Sequence, residues 1–246
     1  MGTVIVVTSG KGGTGKTSLT GGVASCLAAL GRRVLCVDMD IGLRNLDISL
    51  GMTDRAVMDF TDVLEGRCSL DRAAVAHPVI QGLHLLTAPV TAPPKALDER
   101  RMAAMLAEAR EKFDDILIDS PAGLGSGFRL AACGADRAIV VSTNDASALR
   151  DAQRTVAELT RGLETIHLVM NRVQPKLMRR LRTTIDDAMD AAGLPLLGVV
   201  PEDSQVILAA NTAQPLILVS RKGAAVAYLN IARRLVGERV PLMKIH

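Results

Sequence analysis

Gly10-Lys11-Gly12-Gly13-Thr14-Gly15-Lys16-Thr17 is the stretch that decides how this chain is read. It matches a glycine, four free positions, then glycine, lysine and a hydroxyl residue. Upstream, Val4–Thr8 is a continuous apolar, β-branched run, as in a strand buried on both faces. Downstream, Lys16–Leu30 carries a helical pattern that Gly31 closes. Strand, glycine-rich loop and helix in this order make a phosphate cradle. The glycines let the backbone curl so that successive N–H groups point at phosphate oxygens, and the helix N-terminus adds its positive dipole end. The expected nucleotide-binding run is Gly10 through Ser18, with Lys16 reaching the β- and γ-phosphates and Thr17 ligating Mg²⁺. Lys11 is unusual, because a second lysine in the loop is not needed for its own nucleotide. It is either an exposed loop lysine or a charge supplied to a neighbouring subunit, like an arginine finger in trans.

Working outward, Val34–Asp38, Ile116–Asp119, Ala138–Ser142, Ile166–Met170 and Leu196–Val200 read as further buried strands. Between them lie helical patterns over Glu99–Lys112, Ala146–Arg161, Lys176–Ala192 and Gly223–Leu235, with Gly162 and Gly193 at expected C-caps. Such alternation predicts an α/β fold, a doubly wound, mostly parallel sheet with helices on both faces. Thr87–Pro94 reads as a surface loop, and no linker splits residues 1–246, so one domain is expected.

A phosphate loop needs carboxylates at neighbouring strand ends to hold Mg²⁺ and position water. Asp38 and Asp40 follow one strand and Asp119 ends another, which makes them the candidate metal and water partners.

Composition excludes other classes. The net charge of +3 is too small for nucleic-acid binding by bulk charge. Three Phe, one Tyr and no Trp cannot build a base-stacking platform. Four scattered Cys without a C-x-x-C pair, and four His without ligand spacing, give no zinc site. No run of about 18 apolar residues exists and the first residues do not read as a signal peptide, so a cytoplasmic protein is expected. Lys176, Arg179, Arg180 and Arg182 form a basic cluster, read as a solvated helix face over a stripe of Leu177, Leu181, Ala188 and Ala192. Val226, Tyr228, Ile231 and Leu235 are read as core residues of a terminal helix.

Four segments carry a family resemblance: Val6-Val7-Thr8-Ser9-Gly10-Lys11-Gly12-Gly13, Asp40-Ile41-Gly42-Leu43-Arg44-Asn45-Leu46-Asp47, Asp119-Ser120-Pro121-Ala122-Gly123 and Val199-Val200-Pro201-Glu202-Asp203. Through them the chain resembles the deviant Walker-A ATPases, the MinD/ParA family, from Met1 to about Pro241. The Asp40–Asn45 stretch points to the MinD branch. The resemblance implies an ATP-dependent dimer that regulates septum placement through division-site partner proteins, with transient residence at the inner face of the cell membrane. A ParA-like or flagellar-number-regulating ATPase is the alternative. It implies that Lys11 is the signature lysine reaching across an ATP sandwich. Asp40 would position water, with Asp38 and Asp119 in the outer shell of Mg²⁺. Asn171 would read adenine, Pro201 and Asp203 would flank it, and Gly42, Arg44 and Asn45 would belong to a switch. The chain departs from the pattern at Thr14, at Thr143–Ala146 and at Arg179–Arg182. The tail 237–246 has only Arg239 and Lys244 as firm cations and contains Pro241, so no lipid-binding amphipathic helix is expected in it.

Overall fold

In a computed structural model, residues 1–91 and 97–243 are described. The end of the expected loop Thr87–Pro94, and Lys244 to His246 of the tail, lie outside the described residues. The strands are β1 (Thr3–Thr8), β2 (Val34–Asp38), β3 (Val75–Ala76), β4 (Leu83–Leu86), β5 (Asp115–Asp119), β6 (Arg137–Ser142), β7 (Thr165–Val173) and β8 (Leu196–Pro201). The helices begin with α1 (Lys16–Ala29), α2 (Leu46–Ser49), α3 (Phe60–Leu64), α4 (Leu70–Ala73), α5 (Glu99–Lys112) and α6 (Ser126–Ala132). They continue with α7 (Ala146–Leu159), α8 (Pro175–Leu181), α9 (Ile185–Ala192), α10 (Ser204–Asn211), α11 (Leu216–Val219) and α12 (Gly223–Leu235).

The sheet order is β3-β4-β2-β5-β1-β6-β7-β8, parallel except for the β3–β4 pair. Alternate residues of each central strand feed two cores. Val4, Val6, Leu35, Val37, Ile116 and Ile118 pack on one face with α5 and α7. Ile5, Val7, Val34, Cys36 and Leu117 pack on the other with α1 and α12. Burial on both faces explains why these strands read as unbroken apolar runs. On the second face Tyr228 of α12 is buried with its ring against Gly22 of α1, where any Cβ would overlap it. The expected core role of the terminal helix holds, with Tyr228 and Ile231 buried and Leu235 packed against the cluster.

The parallel register brings functional residues level. Asp38 pairs with Asp119 across β2 and β5, and Val7 of β1 pairs with Asp119 on the other side. The carboxyl ends of three adjacent strands therefore meet beside the loop that leaves β1, the crevice where open α/β sheets bind ligands.

Four expectations are corrected. The helix read over Lys176–Ala192 is two: α8 ends at Arg182, left-handed at φ 55°, and Thr184 opens α9 through a capping box with Asp187. The turn leaves Leu177 and Leu181 exposed, so they do not continue the apolar stripe that buries Ala188 and Ala192. Gly162 is not the cap of α7, which ends at Thr160 in a right-handed conformation, whereas Gly31 and Gly193 do adopt positive φ. The strand read as Ile166–Met170 runs on to Val173, so Asn171 lies within β7 rather than after it.

Candidate functional site

The loop between β1 and α1 turns its donors and acceptors to opposite sides. Its carbonyls are held by the protein: Lys11 O accepts from Ser9 Oγ at 2.9 Å, Gly13 O from Arg172 Nη1 at 3.1 Å, and Thr14 O from Asn171 Nδ2 at 2.8 Å. The amides of Gly12, Gly13, Thr14 and Gly15 donate to no protein acceptor among the described residues. Gly13 and Gly15 have φ of 81° and 82°, which only glycine adopts without strain. A row of free amides at a helix N-terminus is an anion site.

The site fits a nucleotide phosphate chain on two structural counts. A Cβ on Gly12 or Gly13 would meet nothing within 4 Å, so open space lies beside the amides. Thr14 Oγ1 is buried without a partner. The cavity here is about 580 Å³ and is lined by Gly12, Lys16, Thr17, Asp40, Asn45 and Pro121, among others.

Lys16 is 7% exposed, and its Nζ lies 3.0 Å from Asp119 Oδ1. Thr17 Oγ1 donates to Asp119 Oδ2 at 2.6 Å, and Thr20 Oγ1 to Oδ1 at 3.3 Å. Burial pushes the Asp119 pKa up, against the Lys16 charge and the Thr17 hydrogen bond, which lower it. These groups form a preorganised cluster of one cation, one carboxylate and two hydroxyls, and a carboxylate and hydroxyl set this way are the chemistry that holds Mg²⁺ beside phosphate in this type of loop. Among the described residues no cluster of His, Cys, Asp and Glu forms a metal cage by itself.

Asp38 is fully buried. Its Oδ1 accepts from Asp40 N at 2.9 Å and its Oδ2 from Leu46 N at 3.1 Å. Burial and then the charge of Asp119 push its pKa up to about 7. Both oxygens therefore staple the segment from Asp40 to Leu46, while Asp40 itself lines the phosphate cavity. Within that segment Gly42 has φ 86° and donates its N–H to Pro89 O. Arg44, also left-handed at φ 46°, sends its guanidinium away from the cavity to Thr87 Oγ1 and Ala56 O. Asn45 lines the cavity and makes no side-chain cap bond to α2.

Lys11 points the other way. Its Nζ lies 2.7 Å from Asp145 Oδ2 and 2.7 Å from Ser147 Oγ, at the start of α7 and in the open. The Lys11 hydrogen bond and Ser147 hold Asp145 down at about 2. A second cavity, about 170 Å³, lies past Gly15 and Ser18 and is lined by Asn171, Pro201, Asp203, Ile207 and Tyr228. Asn171 spends its amide N–H on the phosphate loop, which leaves its carbonyl oxygen as an acceptor there. Asp203 N-caps α10 through Gln205 N and also accepts from Ala224 N. Sequence reasoning missed Arg172, Glu202, Asp145 and Ser147 as site residues. Their partners are more than a hundred residues away or sit on a neighbouring strand, and no local motif marks them.

A parallel sheet, a glycine-rich loop at the end of its central strand and an acid at the end of the next define a P-loop nucleotide hydrolase. Residues 5–216 match the model of the CobQ/CobB/MinD/ParA nucleotide binding domain. The chain is 42% identical to the septum site-determining protein MinD of Bacillus subtilis, over 98% of this chain and 92% of that one. It superposes on the MinD of the MinC:MinD cell division protein complex of Aquifex aeolicus with TM-score 0.92, at 36% identity over 99% of this chain and all of the other. The Mg-ADP complex of Pyrococcus horikoshii MinD gives TM-score 0.85 at 29% identity, covering 96% of this chain and 97% of that one. The chain belongs to the MinD/ParA family of P-loop ATPases, and it is an ATP hydrolase.

Proposed function

We propose that this chain is a MinD-type switch ATPase that regulates placement of the division septum, binding Mg²⁺ and ATP in the cavity of Lys16 and Asp40 and pairing with a second copy in the ATP state. The observation that carries the reading is the division of labour between two lysines of one loop. Lys16 is buried against Asp119 beside the free amides, and Lys11 is exposed and turned outward.

Bound Mg²⁺ would supply charge neutralisation at the phosphates. Thr17 and Asp119 would hold the ion, Thr17 directly and Asp119 from the outer shell. The amides from Gly12 to Lys16 would cradle the phosphate oxygens, and Lys16 would leave its 3.0 Å contact with Asp119 enough to share its protons with them. Asp40 would orient the attacking water from the segment that Asp38 staples, so that loss of the γ-phosphate is felt from Asp40 to Asn45. Lys11 would act on the partner's nucleotide in a dimer. Asn171, with one amide face committed to the loop, would accept from the adenine amino group, with Pro201 and Asp203 flanking the base. A MinC-like regulator is the partner class that the Aquifex complex suggests. Residence at the membrane would be transient. No described helix is long and apolar enough to cross it.

Calorimetry with Mg²⁺ tests the base and phosphate reading. ATP and ADP should bind and GTP should bind more weakly. Equal or tighter GTP binding would overturn the role of Asn171.

A further inference from the structure

A loop that turns its amides toward phosphate must satisfy its carbonyls elsewhere, because an unpaired buried carbonyl is costly. In a trans peptide the C=O of one residue and the N–H of the next point in opposite directions. Holding a carbonyl outward therefore aims the following N–H inward. Asn171 does this for one peptide, reaching Thr14 O at 2.8 Å, while Gly15 O, 3.4 Å from the same nitrogen, is held at 3.0 Å by Leu19 N in the first turn of α1. The peptide before that of Thr14 is held by the next residue of β7, Arg172, whose Nη1 donates to Gly13 O at 3.1 Å.

Arg172 reaches the loop from an unusual backbone. Its φ is 54°, left-handed, inside a strand whose register to β8 shifts between Met170 and Val173. A non-glycine residue is seldom held so, and such strain gathers at functional sites. The rest of its guanidinium forks onto Glu202, Nε to Oε2 at 2.9 Å and Nη2 to Oε1 at 3.3 Å. That two-point contact fixes the plane of the group and hence the direction of Nη1. The Arg172 side chain is 51% exposed and that of Glu202 32%. As an ion pair it adds little stability, so what the pair achieves is the placement of Nη1.

We propose that Arg172, braced by Glu202, is a positioning residue of the phosphate site: it holds the Gly13 carbonyl outward and so keeps the Thr14 amide aimed at phosphate. The proposal rests on the nucleotide reading above and extends the grip of Asn171 by one peptide. It also ties the loop to the end of β8 and the residues after it, where Pro201 and Asp203 line the base cavity.

The test compares ligands with and without phosphate, on the full chain, by calorimetry with Mg²⁺. For Arg172→Ala, ADP affinity should fall about tenfold, the loss expected for a charge-assisted hydrogen bond. Arg172 also lines the base cavity, so adenosine should lose some affinity as well, but less than about a third of the ADP loss. Arg172→Lys, a point charge without the fork, should recover only part of the loss. Glu202→Gln should weaken ADP in the same direction by about threefold, because the brace loses its charge. Unchanged ADP affinity in Arg172→Ala, or an equal loss of adenosine as general damage would give, overturns the proposal. If Arg172→Ala shows no cooperative thermal melt, Glu202→Gln decides, and unchanged ADP binding there overturns it. A wild-type chain that binds neither ligand would overturn the nucleotide reading itself and this proposal with it.

Discussion

Lys11 and Lys16 stand five residues apart on one loop, each within 3.0 Å of an aspartate, and they do opposite things. The side chains of Lys16 and Asp119 are 8% and 1% exposed, while those of Lys11 and Asp145 are 45% and 49% exposed. A buried pair is fixed: removing one partner leaves an uncompensated charge in the interior. An exposed pair is a resting place, because water and salt compete for both groups at little cost. One loop thus carries a buried, held cation at its own cavity and an exposed, releasable cation at the surface.

The largest expected effect comes from breaking the fixed half. Lys16→Ala should abolish ADP binding, a loss of more than about 100-fold from several charge-assisted contacts, and should destabilise the free protein by about 3–5 kcal/mol. Calorimetry and urea unfolding measure the two. An unchanged urea midpoint would show that Asp119 does not depend on Lys16.

Lys11→Ala strikes the releasable half. It should still bind ADP and melt within about 2 °C of wild type, yet lose turnover by about 10³-fold, as when a finger residue acting in trans is removed. In light scattering with ATP, the Asp40→Ala chain should be dimeric and the Lys11→Ala chain monomeric. A Lys11→Ala dimer would end the idea that the lysine serves a second copy.

Acidity separates the two regions more gently. Asp38 has its folded pKa raised to about 7, so between its unfolded value and that point the native state binds the extra proton. Stability must then fall as pH rises through about 4 to 7, by on the order of 1 kcal/mol per unit, and level off above. Asp145 is shifted the other way, to about 2, so its pairing with Lys11 persists down to pH 4 and is lost only as pH drops through the folded value. Urea unfolding from pH 5 to 8 should show the decline in wild type and a flatter line in Asp38→Asn. Parallel lines would assign the slope to other groups.

The smallest effect is expected from Asp145→Asn, which frees Lys11 while keeping a good cap for α7. ADP affinity should stay within about twofold. A tenfold loss in calorimetry would show that Lys11 already serves its own loop.

Most of the sheet could be read from the sequence because a strand buried on both faces leaves an unbroken apolar run, as Val4–Thr8 and Ile116–Asp119 do. The strands β3 and β4 were hidden. The first has two residues, and Leu83–Leu86 arrives after short helices rather than a long amphipathic one. The break between α8 and α9 turns on an arginine in a glycine-like conformation, which composition does not announce. The capping box from Thr184 to Asp187 was the available signal. In the site, the phosphate loop and Asp119 were legible because their chemistry is contiguous or falls at a strand end. Arg172 was not, since its reach to Gly13 spans 159 positions and depends on a local register shift.

Tyr228, packed on Gly22 and lining the base cavity, has an optical consequence. It is the one tyrosine of the chain, and there is no tryptophan to mask it. Excitation in the tyrosine absorption band of the unlabelled protein therefore reports from a single ring, packed against α1 roughly two helical turns past its start. A purine stacked into that cavity would dim or shift its emission, so base entry can be timed by stopped-flow without attaching a dye.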